Sequence, residues 1–273
     1  MAPEYEFSEK EYLDLLELAF EVAESVKEKV SPDGRRPDSQ YLALKLFAHA
    51  ATVHLLYTGT KIPVPASTGG TNFIDFSSIA VLARSALETY LGFFEVFIAP
   101  KNDDEFEFNY CLWHLSGQVV LEDFVPFDPT LQEEAKIAQE EIKALRDRIR
   151  ATAVFQGLSP KAQKEVLKAK RKRDWLMAAK SAGFTHQFIR RIYAYSSGFV
   201  HADGFTAGQL MSAQTKLDQI FHAQIHLITI MIVLSKFILD YGQLFEEARA
   251  LFPNFKTAYD RAVIWSEIAK NLD

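Results

Sequence analysis

Apolar residues recur at three- and four-residue intervals along almost all of this 273-residue chain, with no convincing stretch of strict apolar–polar alternation. That spacing lines one face of an α-helix, whereas a half-buried strand needs a period of two. The pattern predicts an all-α fold, a single-domain bundle of about eight to ten helices over residues 1–273. Tyr12, Leu15, Leu16, Ala19, Phe20, Ala23 and Val26 form the stripe of a first helix, ended by Ser31-Pro32-Asp33-Gly34. A second helix runs from a cap at Asp38 or Ser39 to about Tyr57. An irregular stretch, Thr58 to Asn72, precedes a third helix, capped by Asp75 and running to about Ile98. That third helix is apolar nearly all round, as expected of a central element. Further helices are expected over about Glu105–Val120, Leu131–Thr152, Ser159–Ser181, Thr185–Val200, Thr206–Tyr241 and Phe255–Leu272, with Thr185 and Thr206 as caps. The segment at about 130–181 is rich in charge and reads as facing solvent or a partner.

Composition excludes several classes. Hydrophobic residues make up 48% of the chain, including 22 Phe, enough for a substantial core rather than a disordered chain. The formal net charge is −6, so bulk electrostatics do not draw this protein to nucleic acid; any such contact needs a local basic patch. One cysteine, Cys111, permits neither an intrachain disulfide framework nor a cysteine-rich zinc site. The acidic N-terminus lacks the basic and apolar regions of a signal peptide. The most apolar run, Ile225 to Leu239, is interrupted by His226, Thr229, Ser235 and Lys236, and reads as a core helix rather than a membrane span. A cytoplasmic protein without a membrane partner or cofactor is the expectation.

Four groups of polar residues stand out. Arg84 and Glu88 are four apart, so they share a helix face in otherwise apolar surroundings. They are either a solvated edge or an ion pair in a polar cavity, where Arg84 would meet an anionic group and Glu88 would hold it. In the second group, Tyr193 to Asp203, residues Arg190, Ser197 and His201 fall on one helix face, Tyr195 faces elsewhere, and Asp203 lies just past the end. Ser197 and His201 are within reach of a hydrogen bond, and Asp203 can orient the imidazole; the alternative is a histidine that caps the helix. Third, Asp218, His222 and His226 follow at four-residue spacing. Two imidazoles so placed can meet one metal, but no His-Glu-x-x-His and no ligand from a second helix accompany them, so no metal is assigned. Last, Lys161 to Arg173 carries seven basic residues against Glu165 alone, either a solvated face or a contact for an RNA backbone. Ser67-Thr68-Gly69-Gly70 lacks the lysine and flanking strand of a phosphate loop and reads as a connector.

Ala83-Arg84-Ser85-Ala86-Leu87-Glu88-Thr89-Tyr90 with Tyr193-x-Tyr195-Ser196-Ser197-x-x-Val200-His201 resembles an uncharacterised bacterial helical family that pairs an Arg-x-x-x-Glu helix with a Tyr/Ser/Ser/His helix. More distantly the pattern is similar to the higher-eukaryote-and-prokaryote nucleotide-binding (HEPN) helical domains, many of them metal-independent ribonucleases of toxin and antiphage systems. These place four to six residues between an arginine and a histidine, commonly across a dimer. Here nine residues separate Arg191 from His201 and ten separate Arg190 from it. On one helix Arg190 and His201 stand about 16 Å apart along the axis. Either the pair acts across a homodimer, or Arg84 takes the arginine's place, or the site is not a nuclease. The resemblance implies RNA binding or cleavage in a defence or stress role. His201, Arg84 and Glu88 would be catalytic, Tyr195, Ser197, Arg190, Arg191 and Asp203 would contact substrate, and Lys161–Arg173 would guide the RNA. The reading from residues alone is a noncatalytic interaction module in which Arg84–Glu88 and His201 are structural.

Overall fold

The structure is a computed structural model that describes residues 7–27, 38–62, 71–122, 132–169, 175–201 and 204–271. Among these the chain forms thirteen α-helical segments, so the all-α fold is observed. Although composition marks no boundary, the chain divides into two compact units, residues 1–93 with 175–273 and residues 94–174.

The first unit contains α1 (Glu9–Glu24), α2 (Asp38–Thr58), α3 (Phe76–Phe93) and then α8 (Trp175–Ser181) to α13 (Lys256–Asn271). Its axis is α11 (Lys216–Leu244), which packs on α1, α3 and α13. By length and composition α11 could cross a membrane, but 72% of its most apolar window is buried inside the protein, as befits a core helix. Its end is fitted closely, because a Cβ on Gly242 would collide with the ring of Phe252. The irregular stretch after α2 carries a correction at its base: Thr60–Ile62 (β1) and Thr71–Phe73 (β2) pair antiparallel, with Thr60 opposite Phe73. Ser67 to Gly70 lie outside the described residues.

The second unit starts with a π-helical turn, Phe94–Ile98, in place of the continuous α-helix expected as far as Ile98. It continues with α4 (Asp103–Glu122), α5 (Gln132–Ala151), α6 (Ala153–Gln156) and α7 (Pro160–Leu167). Charged α5 buries Ala138, Ile142, Leu145 and Ile149 against α4 and α6, while Asp104 accepts hydrogen bonds from the first amides of α6 at 2.8 and 3.0 Å. Cys111 is buried here.

Local chemistry set most boundaries. Asp75 accepts from Ser78 N at 3.0 Å and Thr185 from Phe188 N at 3.1 Å, as their sequence positions require. Ser159 caps α7 ahead of Pro160. Three expectations fail. The helix expected over Ser159–Ser181 stops at Leu167, and α8 begins anew at Trp175. Thr206 is no cap but a buried residue inside α10 (Gly204–Ser212), and α11 starts at its own capping box, Thr215 with Asp218, so the helix expected over Thr206–Tyr241 is two. In α1 the buried stripe is Tyr12, Leu15, Leu18, Ala19 and Val22, leaving Phe20 exposed. The Tyr12 hydroxyl donates to the Ala50 carbonyl of α2 at 2.8 Å, which orients the helix about its axis.

Candidate functional site

The candidate residues meet on α9 (His186–His201), whose one face buries Phe188, Ile189, Ile192, Ser196, Gly198 and Phe199. It packs on α3, and Tyr193 reaches the Arg84–Glu88 pair there. Arg84 Nε donates to Glu88 Oε1 at 3.0 Å, Arg84 Nη2 donates to the Tyr193 hydroxyl at 2.9 Å, and that hydroxyl donates to Glu88 Oε1. The guanidinium also lies over the Tyr193 ring, 4.2 Å from its centre. The pair is therefore neither a solvated edge nor a bare ion pair; it is a three-membered cluster across two helices. Burial works against the charge of Arg84, but hydrogen bonds to Glu88 and Tyr193 outweigh it and hold the guanidinium above the ordinary arginine value. Burial and then Glu88 push the Tyr193 phenol up, so it stays neutral and donates. Arg84 Nη1 is buried and has no hydrogen-bond partner among the described residues.

His201 does not join this cluster. It is the exposed last residue of α9, eight residues beyond Tyr193, which sets it about 12 Å further along the axis. Among the described residues it has no hydrogen bond, to Ser197 or to any other group; Asp203 lies outside them. The expected convergence of His201 with Arg84 and Glu88 is thus replaced by two separate places on one helix. The reason is the rise of the helix: Tyr193 stands where α9 meets Arg84 on α3, and the eight residues that follow carry His201 past that contact to the exposed end of α9.

That outer face is the more informative one. His186, Gln187, Arg190, Arg191 and Ala194 line a surface pocket of about 350 Å³. All five are exposed, and neither arginine has an ion-pair partner among the described residues. The sequence pattern ties Arg190 to His201 and leaves His186 unmarked, although His186 stands one helical turn before Arg190 on the same face. In the second unit Lys161 and Lys164 are exposed on α7, and Lys168 pairs with Glu165 at 2.7 Å. Lys170 to Arg173 lie outside the described residues.

Tyr195 turns away from the outer row and meets α11. Its hydroxyl is 2.9 Å from His222 Nδ1, and its ring lies 5.2 Å from that of His226. Phe76 stacks on His222 at 5.0 Å, and Phe199 meets His226 edge-on at 6.1 Å. His226 is wholly buried, and neither ring nitrogen has a hydrogen-bond partner among the described residues. Burial, helped by nearby His222, lowers its pKa to about 3, so the imidazole is neutral. Burial likewise raises the Tyr195 phenol, against a hydrogen bond from Gln209 of α10. On another face of α3, Ser85 meets His49 Nε2 at 3.0 Å, a contact between α2 and α3 without a third orienting group among the described residues.

The fold and these contacts define an all-helical protein with a cationic outer helix face. No family model, curated protein or solved structure matches this chain.

Proposed function

We propose that this chain is an HEPN-like helical protein that binds RNA along the outer face of α9. One observation carries the reading: His186, Arg190, Arg191 and His201 lie along one exposed side of the helix with no carboxylate paired to either arginine among the described residues. The row covers about 22 Å along the helix axis, enough to follow several successive phosphates. On a chain of net charge −6, a local cationic strip is what such a contact requires. Arg84 and Glu88 act in this reading as positioning residues, because their cluster with Tyr193 holds α9 on α3 and leaves its outer face turned to solvent. Lys161 and Lys164 of the second unit are further cations available to an RNA backbone. His186 and His201 are the imidazoles on this face, the side chains able to exchange a proton with a ribose 2′-hydroxyl, and cleavage is tested through His201, the histidine of the resemblance.

Fluorescence anisotropy with single-stranded and hairpin RNA at several salt concentrations tests the binding. Arg190→Ala with Arg191→Ala should weaken it and lower the slope of log affinity against log salt by about one for each phosphate that no longer meets a cation. Undetectable RNA binding, or binding indifferent to the double substitution, overturns the proposal. RNA cleavage abolished by His201→Ala extends it to a metal-independent ribonuclease; binding without cleavage confines it to recognition.

A second reading, a noncatalytic interaction module that pairs with another copy of itself, is favoured by apolar side chains near the end of α9. Phe205, Met211, Leu217 and Phe221 are all more than 60% exposed on α10 and the start of α11. Light scattering decides it: a dimer that Met211→Glu with Phe221→Glu dissociates supports this reading, and a monomer at all concentrations rejects it.

A further inference from the structure

A neutral imidazole owns one donor and one acceptor, and inside a protein both are normally satisfied. His226 satisfies neither among the described residues, although it is 0% exposed. A second orphan stands on another helix beside the same tyrosine: Gln209 Oε1 of α10 is buried without a partner, while the amide nitrogen of that side chain faces Tyr195. Two unsatisfied buried polar groups from α10 and α11, gathered around Tyr195, are costly if nothing meets them.

The neighbouring His222 shows what would. It lies one helical turn before His226 on the same face of α11, the spacing at which two imidazoles reach one ion. The Tyr195 hydroxyl engages Nδ1 of His222 at 2.9 Å, and Phe76 stacks on the ring, so its plane is fixed from two sides. Nε2 of His222 then remains for a ligand. An imidazole oriented through one nitrogen by an oxygen partner, with the other nitrogen free, is the usual arrangement behind a metal-binding histidine. Two nitrogens and one amide oxygen, with no thiolate and no carboxylate, suit a borderline late first-row cation better than Mg²⁺ or Ca²⁺, which take oxygen ligands.

We infer that His222, His226 and Gln209 form a binding site for a late first-row divalent cation, Zn²⁺ in the first instance, with Tyr195 as the positioning residue of His222. A water carried in with the ion would take the fourth position. The ion would tie α10 to α11 and replace an unsatisfied imidazole with a ligated one. This site is separate from the RNA contact, since Tyr195 faces α11 and the cationic row faces outward.

The test uses Zn²⁺ alone and no RNA, so its outcome is independent of the function proposed above. Metal-stripped full-length protein is titrated with Zn²⁺ against a chromophoric chelator, and thermal melting is followed in parallel. One equivalent should bind and raise Tm with concentration, as any ligand of the folded state does. His222→Ala should abolish binding, Gln209→Ala should weaken it, Tyr195→Phe should weaken it about tenfold or more, and His54→Ala should bind like the parent. His222 and Tyr195 are only half-buried, so these variants keep the test decisive if a substitution at His226 fails to fold. Absence of stoichiometric Zn²⁺ binding, or binding unaffected by His222→Ala, overturns the assignment.

Discussion

Tyr193 and Tyr195 stand two residues apart on α9, yet they meet opposite kinds of surroundings. Two residues turn a helix by about 200°, so one ring faces α3 and the other faces α11. Tyr193 enters a cluster whose charge is matched: an arginine, a carboxylate and a phenol satisfy one another, with only Arg84 Nη1 left over. Tyr195 enters a cluster that holds no carboxylate and no guanidinium and whose polar atoms are unmatched, with both nitrogens of His226 and one oxygen of Gln209 unpartnered among the described residues. The first arrangement is a finished structural joint. The second is polar chemistry held ready in an apolar wall.

The sharpest way to break that comparison is acid. His226 has a folded-state pKa of about 3, below the ordinary value of 6.5, so between these values the unfolded chain binds the extra proton. Stability from this group is fully present above about pH 6.5 and is lost as pH falls toward 3, with a slope of up to about 1.4 kcal/mol per pH unit. Urea denaturation of metal-free protein between pH 7 and 5 should show this loss, and His226→Leu should flatten the slope. An unchanged slope in His226→Leu would assign the acid sensitivity elsewhere.

Next in size is the charged joint. Glu88→Ala leaves a largely buried guanidinium without its carboxylate and should cost about 3 kcal/mol in the same denaturation experiment. Tyr193→Phe keeps the ring under Arg84 and removes only the hydroxyl, so a loss of about 1 kcal/mol is expected. A double-mutant cycle of the two substitutions should show coupling, because Glu88→Ala removes the carboxylate oxygen to which the Tyr193 hydroxyl donates and Tyr193→Phe removes that donor. Smallest is the outer face: Arg190→Ala should change stability by less than about 0.5 kcal/mol while weakening RNA binding. A larger stability loss would make Arg190 a structural residue and remove it from the proposed contact.

Much of this architecture is legible in local chemistry. Asp75, Thr185 and Ser159-Pro160 announce helix starts because a cap needs only the few amides that follow it. Arg84 and Glu88 announce a shared face because four residues nearly complete a turn. The failures are equally local in origin. Thr206 looks like a cap, but the Thr215–Asp218 box next along the chain takes that role and divides the expected helix. In α1 the apolar pattern admits Phe20 as readily as Leu18, and only the packing of Tyr12 on α2 chooses between them.

The sequence by itself determined helicity, the facing of Arg84 with Glu88 and of His222 with His226, and the sharing of one α9 face by Arg190, Ser197 and His201, since each depends on 3.6 residues per turn and nothing further. Tertiary structure decided that Tyr193 rather than His201 meets Arg84, that Tyr195 meets His222, and that His226 is sealed from solvent. Those contacts depend on where α9 crosses α3 and α11. Crossing is set by the shapes of many buried side chains together, and no spacing within one helix encodes it.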